Sequence, residues 1–160
     1  MSVEMKIQGL MIDPVSQMPI VILKNSAGDS VLPIWVGVFE ANAIATQLEK
    51  IVSPRPMTHD LLRAAIDQLG GSIERIVITD LREATFYATL HLDRKGEKVE
   101  VDSRPSDAMA LALRCDAPIF VEEVVLEKSS RPGDTDSMEP DRLRRWLETV
   151  DPQELGQYEM

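Results

Sequence analysis

The chain has 160 residues, 44% of them hydrophobic, and a formal net charge of −10. That length supports one solid core but not two ordinary independent domains, and no apolar run approaches the length of a membrane span. The acidity weighs against a protein that grips nucleic acid by neutralising many phosphates, because such proteins carry a basic face.

A single cysteine, Cys115, excludes an internal disulfide framework and fits a reducing cytoplasm. With two histidines besides, there is no zinc-finger spacing. The opening Met1-Ser2-Val3-Glu4-Met5-Lys6 has no charged leader followed by an apolar block, so a cytoplasmic location is expected.

Residues 3–12 alternate loosely, with Val3, Met5 and Ile7 on one face, and become fully apolar at Leu10-Met11-Ile12 before Asp13-Pro14 ends the strand. Met18 to Leu23 reads as a second strand, and Asn25-Ser26-Ala27-Gly28-Asp29 as a hairpin turn. Ser30 to Val36 is a third strand, in which Pro33 points to an edge or a bulge. A helix is expected from Val38 to Ile51. A proline-stiffened loop then leads to a second helix, Thr58 to Leu69, with Thr58 as cap. Here Leu61, Leu62, Ala65, Ile66 and Leu69 recur at helical spacing, and Gly70-Gly71 is the stop.

Ile73 to Thr79, Thr85 to Leu92 and Glu97 to Asp102 read as strands, separated by turns at Asp80–Ala84 and Asp93–Gly96. The stretch from Val101 to Arg114 then passes from a strand end into a helix. Pro105 suits a first helical turn, Ser103 or Ser106 offers a cap, and Asp107 favours the positive end of the helix dipole. Ala108 to Leu113 are all apolar, which describes a helix covered on most sides. Ile119 to Leu126 is expected as the last strand of a compact domain, residues 1–127. Residues 128–140 read as a polar linker. Residues 141–160 read as a short helix, Asp141 to Val150, and a tail.

Two segments share a design. Glu40-Ala41-Asn42-Ala43-Ile44-Ala45 aligns with Asp107-Ala108-Met109-Ala110-Leu111-Ala112, and each follows a glycine turn and a strand. The expected fold is therefore α+β, an internal duplication of a three-strand-plus-helix unit with an extra helix between the halves. Trp35, Phe39 and Trp146 stand near segment ends in a chain poor in aromatics, which points to a homodimer or higher homo-oligomer.

Five ordered blocks resemble the bifunctional nuclease (BFN) domain family over about residues 5–127. They are Leu32-Pro33-Ile34-Trp35-Val36-Gly37 with Glu40-Ala41 and Ala43-Ile44-Ala45; Pro54-Arg55-Pro56 with Thr58-His59-Asp60-Leu61; Asp80-Leu81 with Thr85-Phe86-Tyr87-Ala88; Val101-Asp102-Ser103-Arg104-Pro105-Ser106-Asp107-Ala108; and Pro118-Ile119-Phe120-Val121. The family pattern Asp-Ala-Arg-Pro-Ser-Asp is met with Ser103 in place of the alanine. The resemblance implies an α+β domain that acts on both RNA and DNA.

Phosphodiester hydrolysis needs an activated water and charge neutralisation at the phosphate, which carboxylates holding divalent metal can supply. Asp102, Asp107 and Glu40 are the candidate ligands for Mg or Mn. His59, Asp60, Asp102 and Asp107 are candidates for acid–base work, and Arg55 and Arg104 for phosphate contacts. Each also has a structural reading. Glu40 and Asp107 suit helix N-termini, and Arg104 can pair with either across the two halves. A non-catalytic regulatory or assembly module therefore stands beside the nuclease, while a small-ligand protein lacks a phosphate-type glycine loop.

Overall fold

The computed structural model describes residues 1–130. Seven strands form one mixed sheet: β1 Ser2–Ile12, β2 Pro19–Asn25, β3 Val31–Trp35, β4 Gly71–Arg82, β5 Thr85–Arg94, β6 Glu97–Ser103 and β7 Ile119–Glu122. Four helices accompany them: α1 Val38–Leu48, α2 Thr58–Gln68, α3 Pro105–Cys115 and α4 Glu123–Ser129. The protein is thus α+β, and the strand order across the sheet is β3-β2-β1-β7-β4-β5-β6. The order strand, strand, strand, helix occurs twice along the chain, with α2 between.

The two three-strand meanders are antiparallel hairpins, and β7 lies between them, antiparallel to β1 and parallel to β4. A parallel pairing needs a crossover. α3 supplies it, leaving the edge strand β6 and returning the chain to mid-sheet. α1 leaves the opposite edge strand, β3, and packs against α3. Pro33 therefore sits on an edge strand, where its missing N–H costs no ladder bond.

The core lies between the sheet and these two helices. Ala108, Met109, Ala110, Leu111 and Ala112 of α3 and Ala41, Ile44 and Ala45 of α1 are buried against Val21, Leu23, Ile76 and Ile78. Alanines at this contact let the helix backbones approach closely. The other sheet face carries a smaller cluster, Met11, Ile20 and Ile22, with Val31 and Trp35 packed on it. Residues 20–23 of β2 are therefore buried on both faces, which explains their unbroken apolar run. The Trp35 indole N–H donates to Asp13 Oδ2 at 2.9 Å. Burial opposes the charged form of Asp13, but hydrogen bonds from Trp35, Val15 and Ser16 outweigh it and hold the carboxyl below its usual range.

Several expected boundaries move. The strand expected over Ile119–Leu126 ends at Glu122, and α4 begins at Glu123. The register of β7 on β1 runs Ser2↔Glu122 to Met5↔Ile119, and the Glu123 N–H is taken by the Met1 carbonyl. Beyond that point the backbone satisfies itself as a helix, burying Val125. α4 also takes in Lys128 and Ser129 from the expected linker. Lys128 Nζ donates to Asp80 Oδ1 at 2.7 Å and fastens α4 to the β4–β5 hairpin. Hydrogen bonds from Lys128 and then Arg82 hold the Asp80 carboxyl far below the usual range. The first helix stops at Leu48 rather than Ile51. The residues expected as linker from 131 to 140, the helix Asp141–Val150 and Trp146 lie outside the described residues.

Candidate functional site

Three helix N-termini meet at one side of the molecule. α1 begins after Gly37, an extended residue with no side-chain cap, and its first turn carries Glu40. The Glu40 carboxylate folds back over Gly37 so closely that a methyl group there would collide with Oε2. α2 begins after Met57, with His59 and Asp60 in its first turn, so Thr58 is the first helical residue rather than the cap. The Asp60 carboxylate instead accepts the Met57 N–H at 2.9 Å. α3 begins after Arg104, with Pro105 in the first position and Asp107 in the first turn. Neither Ser103 nor Ser106 caps it, and Ser103 Oγ donates to the Arg104 carbonyl.

A continuous chain of contacts joins the three termini. His59 Nε2 lies 2.9 Å from Asp107 Oδ1. Arg104 Nε donates to Asp107 Oδ2 at 3.1 Å, and Arg104 Nη2 donates to Glu40 Oε1 at 2.7 Å. The Asp107 charge, with the Glu40 hydrogen bond after it, raises the Arg104 guanidinium above its ordinary value. His59 is buried, while the Arg104 side chain is 70% exposed, so the chain runs from the interior to the surface rather than closing inside the core.

These four residues line one open cleft of about 850 Å³. Asp102, exposed at the end of β6, lines it too and has no ion-pair partner among the described residues. Arg104 is the only Lys or Arg on its wall among the described residues. Much of the rest of the lining is apolar, with Leu62 and Ile66 of α2, Leu90 and Leu92 of β5, and Val101 of β6. Phe39 stands at the cleft with 88% of its surface exposed.

Two of the expected site residues are elsewhere. Asp60 faces a separate cavity of about 180 Å³. There it accepts Arg114 Nε at 2.6 Å, and Arg114 Nη1 also donates to the carbonyls of Ala43 and Ala110. The Met57 N–H holds the Asp60 carboxyl below its usual range; burial opposes this and Arg114 adds to it. Arg55 is exposed on the loop before α2 and is not part of the cleft wall.

Arg114 is the residue that sequence reasoning passed over. Its side chain is 3% exposed, and it ties α1, α2 and α3 together. The available signal was a lone cation ending the apolar run Ala108–Leu113. Asn42 was also missed: it lines the cleft, and its Oδ1 is buried with no hydrogen-bond partner among the described residues.

Asp102, Asp107 and Glu40, the carboxylates expected to hold a divalent metal, all line the cleft. Among the described residues no three His, Cys, Asp or Glu side chains converge as they would around an ion. Arg104 bridges Glu40 and Asp107, so a positive charge already serves both carboxylates. No helix among the described residues is long and apolar enough to cross a membrane.

A family model described as the bifunctional nuclease domain matches residues 21–133 of the chain. An "uncharacterized protein" of Mycobacterium tuberculosis (strain ATCC 25618 / H37Rv) is 38% identical over 162 aligned residues, covering 95% of this chain and 97% of that protein. Bifunctional nuclease 1 of Oryza sativa subsp. japonica is 30% identical over 105 residues, 64% of this chain and 32% of that protein. Bifunctional nuclease 2 of Arabidopsis thaliana is 29% identical over 105 residues, 63% of this chain and 32% of that protein. The chain thus matches about a third of the length of these plant proteins.

Proposed function

The chain belongs to the bifunctional nuclease domain family, and from that premise we propose that it hydrolyses phosphodiester bonds of RNA and DNA in the cleft at the three helix N-termini. The observation that carries this reading is the 2.9 Å contact between His59 and Asp107 on the cleft wall. An ionised carboxylate only accepts, so the proton of the neutral imidazole sits on Nε2 and the Nδ1 lone pair is left as a base. That pairing orients the ring and stabilises the imidazolium once it forms.

In this reading a water gives one proton to His59 Nδ1 as its oxygen bonds to phosphorus. The ester P–O bond on the opposite side breaks, and the departing oxygen takes a proton relayed from solvent by the exposed Asp102. Arg104 exchanges one carboxylate partner for the phosphoryl oxygens, which its planar fork matches equally well. Helix N-termini favour the anion at the same place. Glu40 holds the guanidinium in position before substrate arrives. Asp60 acts through Arg114 as a positioning residue, keeping α2, and with it His59, docked on α3. Every step here uses the chain's own groups; a divalent ion, if bound, would be held by Asp107 and Glu40 on the cleft wall and would supply charge neutralisation at the phosphate.

One arginine on an acidic protein gives weak substrate binding that falls further as salt rises. An unstacked, single-stranded substrate suits the cleft best.

The same contacts also favour a second reading. Glu40, Arg104, Asp107 and His59 form a clasp between helices, as a non-catalytic assembly module would require. The experiment that separates the two is cleavage of end-labelled single-stranded RNA and DNA by purified wild type and Arg104→Ala, with thermal unfolding followed in parallel. Cleavage lost with folding retained supports the nuclease. Folding lost, with no cleavage by wild type, supports the clasp.

A further inference from the structure

Resting on the nuclease reading, we propose that the apolar part of the cleft is a subsite for one unstacked nucleobase, with Phe39 as its stacking face and the Asn42 carboxamide as the polar group at its edge. The charged chain from His59 to Glu40 is sufficient for a phosphate. The apolar lining residues Leu62, Ile66, Leu90 and Leu92 give a phosphate nothing. A nucleotide presents both chemistries together, an anion and a flat apolar ring, and the cleft volume of about 850 Å³ falls within the usual range for small-ligand sites.

Two side chains fit the ring in particular. Phe39 is exposed to 88%, so it adds little to the packing of the described residues, yet it lines the same cleft as Arg104, the only cleft cation among them. Aromatic faces placed next to a basic phosphate contact are how single strands are held without regard to sequence. Asn42 lies one helical turn on from Phe39, on the same side of α1. Its Oδ1 is closed off and has no partner among the described residues, which leaves the Nδ2 end of the carboxamide as the part that can meet a ligand in the cleft. That NH2 donates to the ring-nitrogen or carbonyl acceptors on the Watson–Crick edge of a base, and this edge is free only when the base is unpaired. The subsite therefore selects single-stranded over duplex substrate.

The test uses the full chain and two probes, adenosine 5′-monophosphate and ribose 5-phosphate, with affinities from calorimetry or NMR titration. Phe39 is exposed, so Phe39→Ala leaves the core untouched, and Phe39→Trp is the rescue variant. The wild type is expected to bind the nucleotide about tenfold more tightly than the sugar phosphate. Phe39→Ala and Asn42→Ala each shrink that margin several-fold without changing ribose 5-phosphate binding, and Phe39→Trp keeps it. Equal affinities for the two probes, or no nucleotide binding at millimolar concentration, would overturn the subsite. So would Phe39→Ala dissociating an oligomer while the margin stays unchanged, which assigns the ring to a contact between copies. A wild type that cleaves strands but has no base margin keeps the nuclease and removes the subsite. One that shows the margin but cleaves nothing keeps the subsite and removes the nuclease.

Discussion

His59 and Asp107 are 48 residues apart in the chain and meet at 2.9 Å, joining the first turn of α2 to the first turn of α3. Arg104 extends the same contact to α1 through Glu40. The acids and the histidine are gathered because β7 is inserted between the two meanders, which brings α1 and α3 together over the middle of the sheet.

The two arginine pairs should behave oppositely on mutation. Arg114 is buried, so Asp60→Ala strands its charge and is expected to cost about 3–5 kcal/mol of stability, measured by urea unfolding. Arg104 is mostly exposed, so Arg104→Ala should cost about 1 kcal/mol or less. Equal losses in the two variants would mean that the cleft clasp carries the fold.

Acid should weaken the protein through four carboxylates. Asp13, Asp60, Asp80 and Asp93 are held below their ordinary values in the folded chain, so the unfolded chain binds more protons as the pH drops. Their contribution is present above the ordinary aspartate pKa of about 3.9 and is lost as pH falls through the folded values. Urea midpoints should therefore fall as the pH drops from about 5 towards about 2, and the fall should be smaller in Asp13→Asn. A midpoint that rises in acid contradicts this.

α2 carries an apolar stripe that no other segment among the described residues covers. Leu61, Ala65 and Leu69 recur at four-residue spacing and are exposed, Leu69 to 78%. A stripe of this kind on a surface marks an association site, and the proposal of a homo-oligomer rests on it now that Trp35 is tied to Asp13 within one chain. Leu69→Lys should shift the mass by light scattering at micromolar concentration from oligomer to monomer. A monomeric wild type would remove the proposal.

What was legible in the sequence follows from short-range physics. The turns at Gly70 and Gly96 were readable because both residues adopt positive φ, 83° and 88°, where a side chain would be strained. α3 was readable from Pro105 and the apolar run behind it. The strand expected over Ile119–Leu126 was not, because its valines favour strands locally while the chain turns into α4 at Glu123, whose N–H is taken by the distant Met1 carbonyl. The Asp60–Arg114 pair spans 54 residues and had no local sign beyond a cation after an apolar run. The cleft residues were legible as chemical types, but their division into His59, Asp107, Arg104 and Glu40 on one side and Asp60 on the other depends on the crossing of the helices. The proposed duplication remains a matter of superposition: residues 18–50 laid on residues 85–114 should bring α1 and α3 into equivalent positions over their strands.

The central claim is that Asp107 orients His59 for proton transfer during phosphodiester cleavage. The most direct measurement is the single-turnover rate of single-stranded RNA cleavage by Asp107→Asn against wild type, with unfolding midpoints taken on the same samples. The account predicts a rate lower by about 10²–10⁴-fold with the folded state retained. A variant that cleaves at the wild-type rate, or a pure wild type that cleaves neither RNA nor DNA, would contradict it.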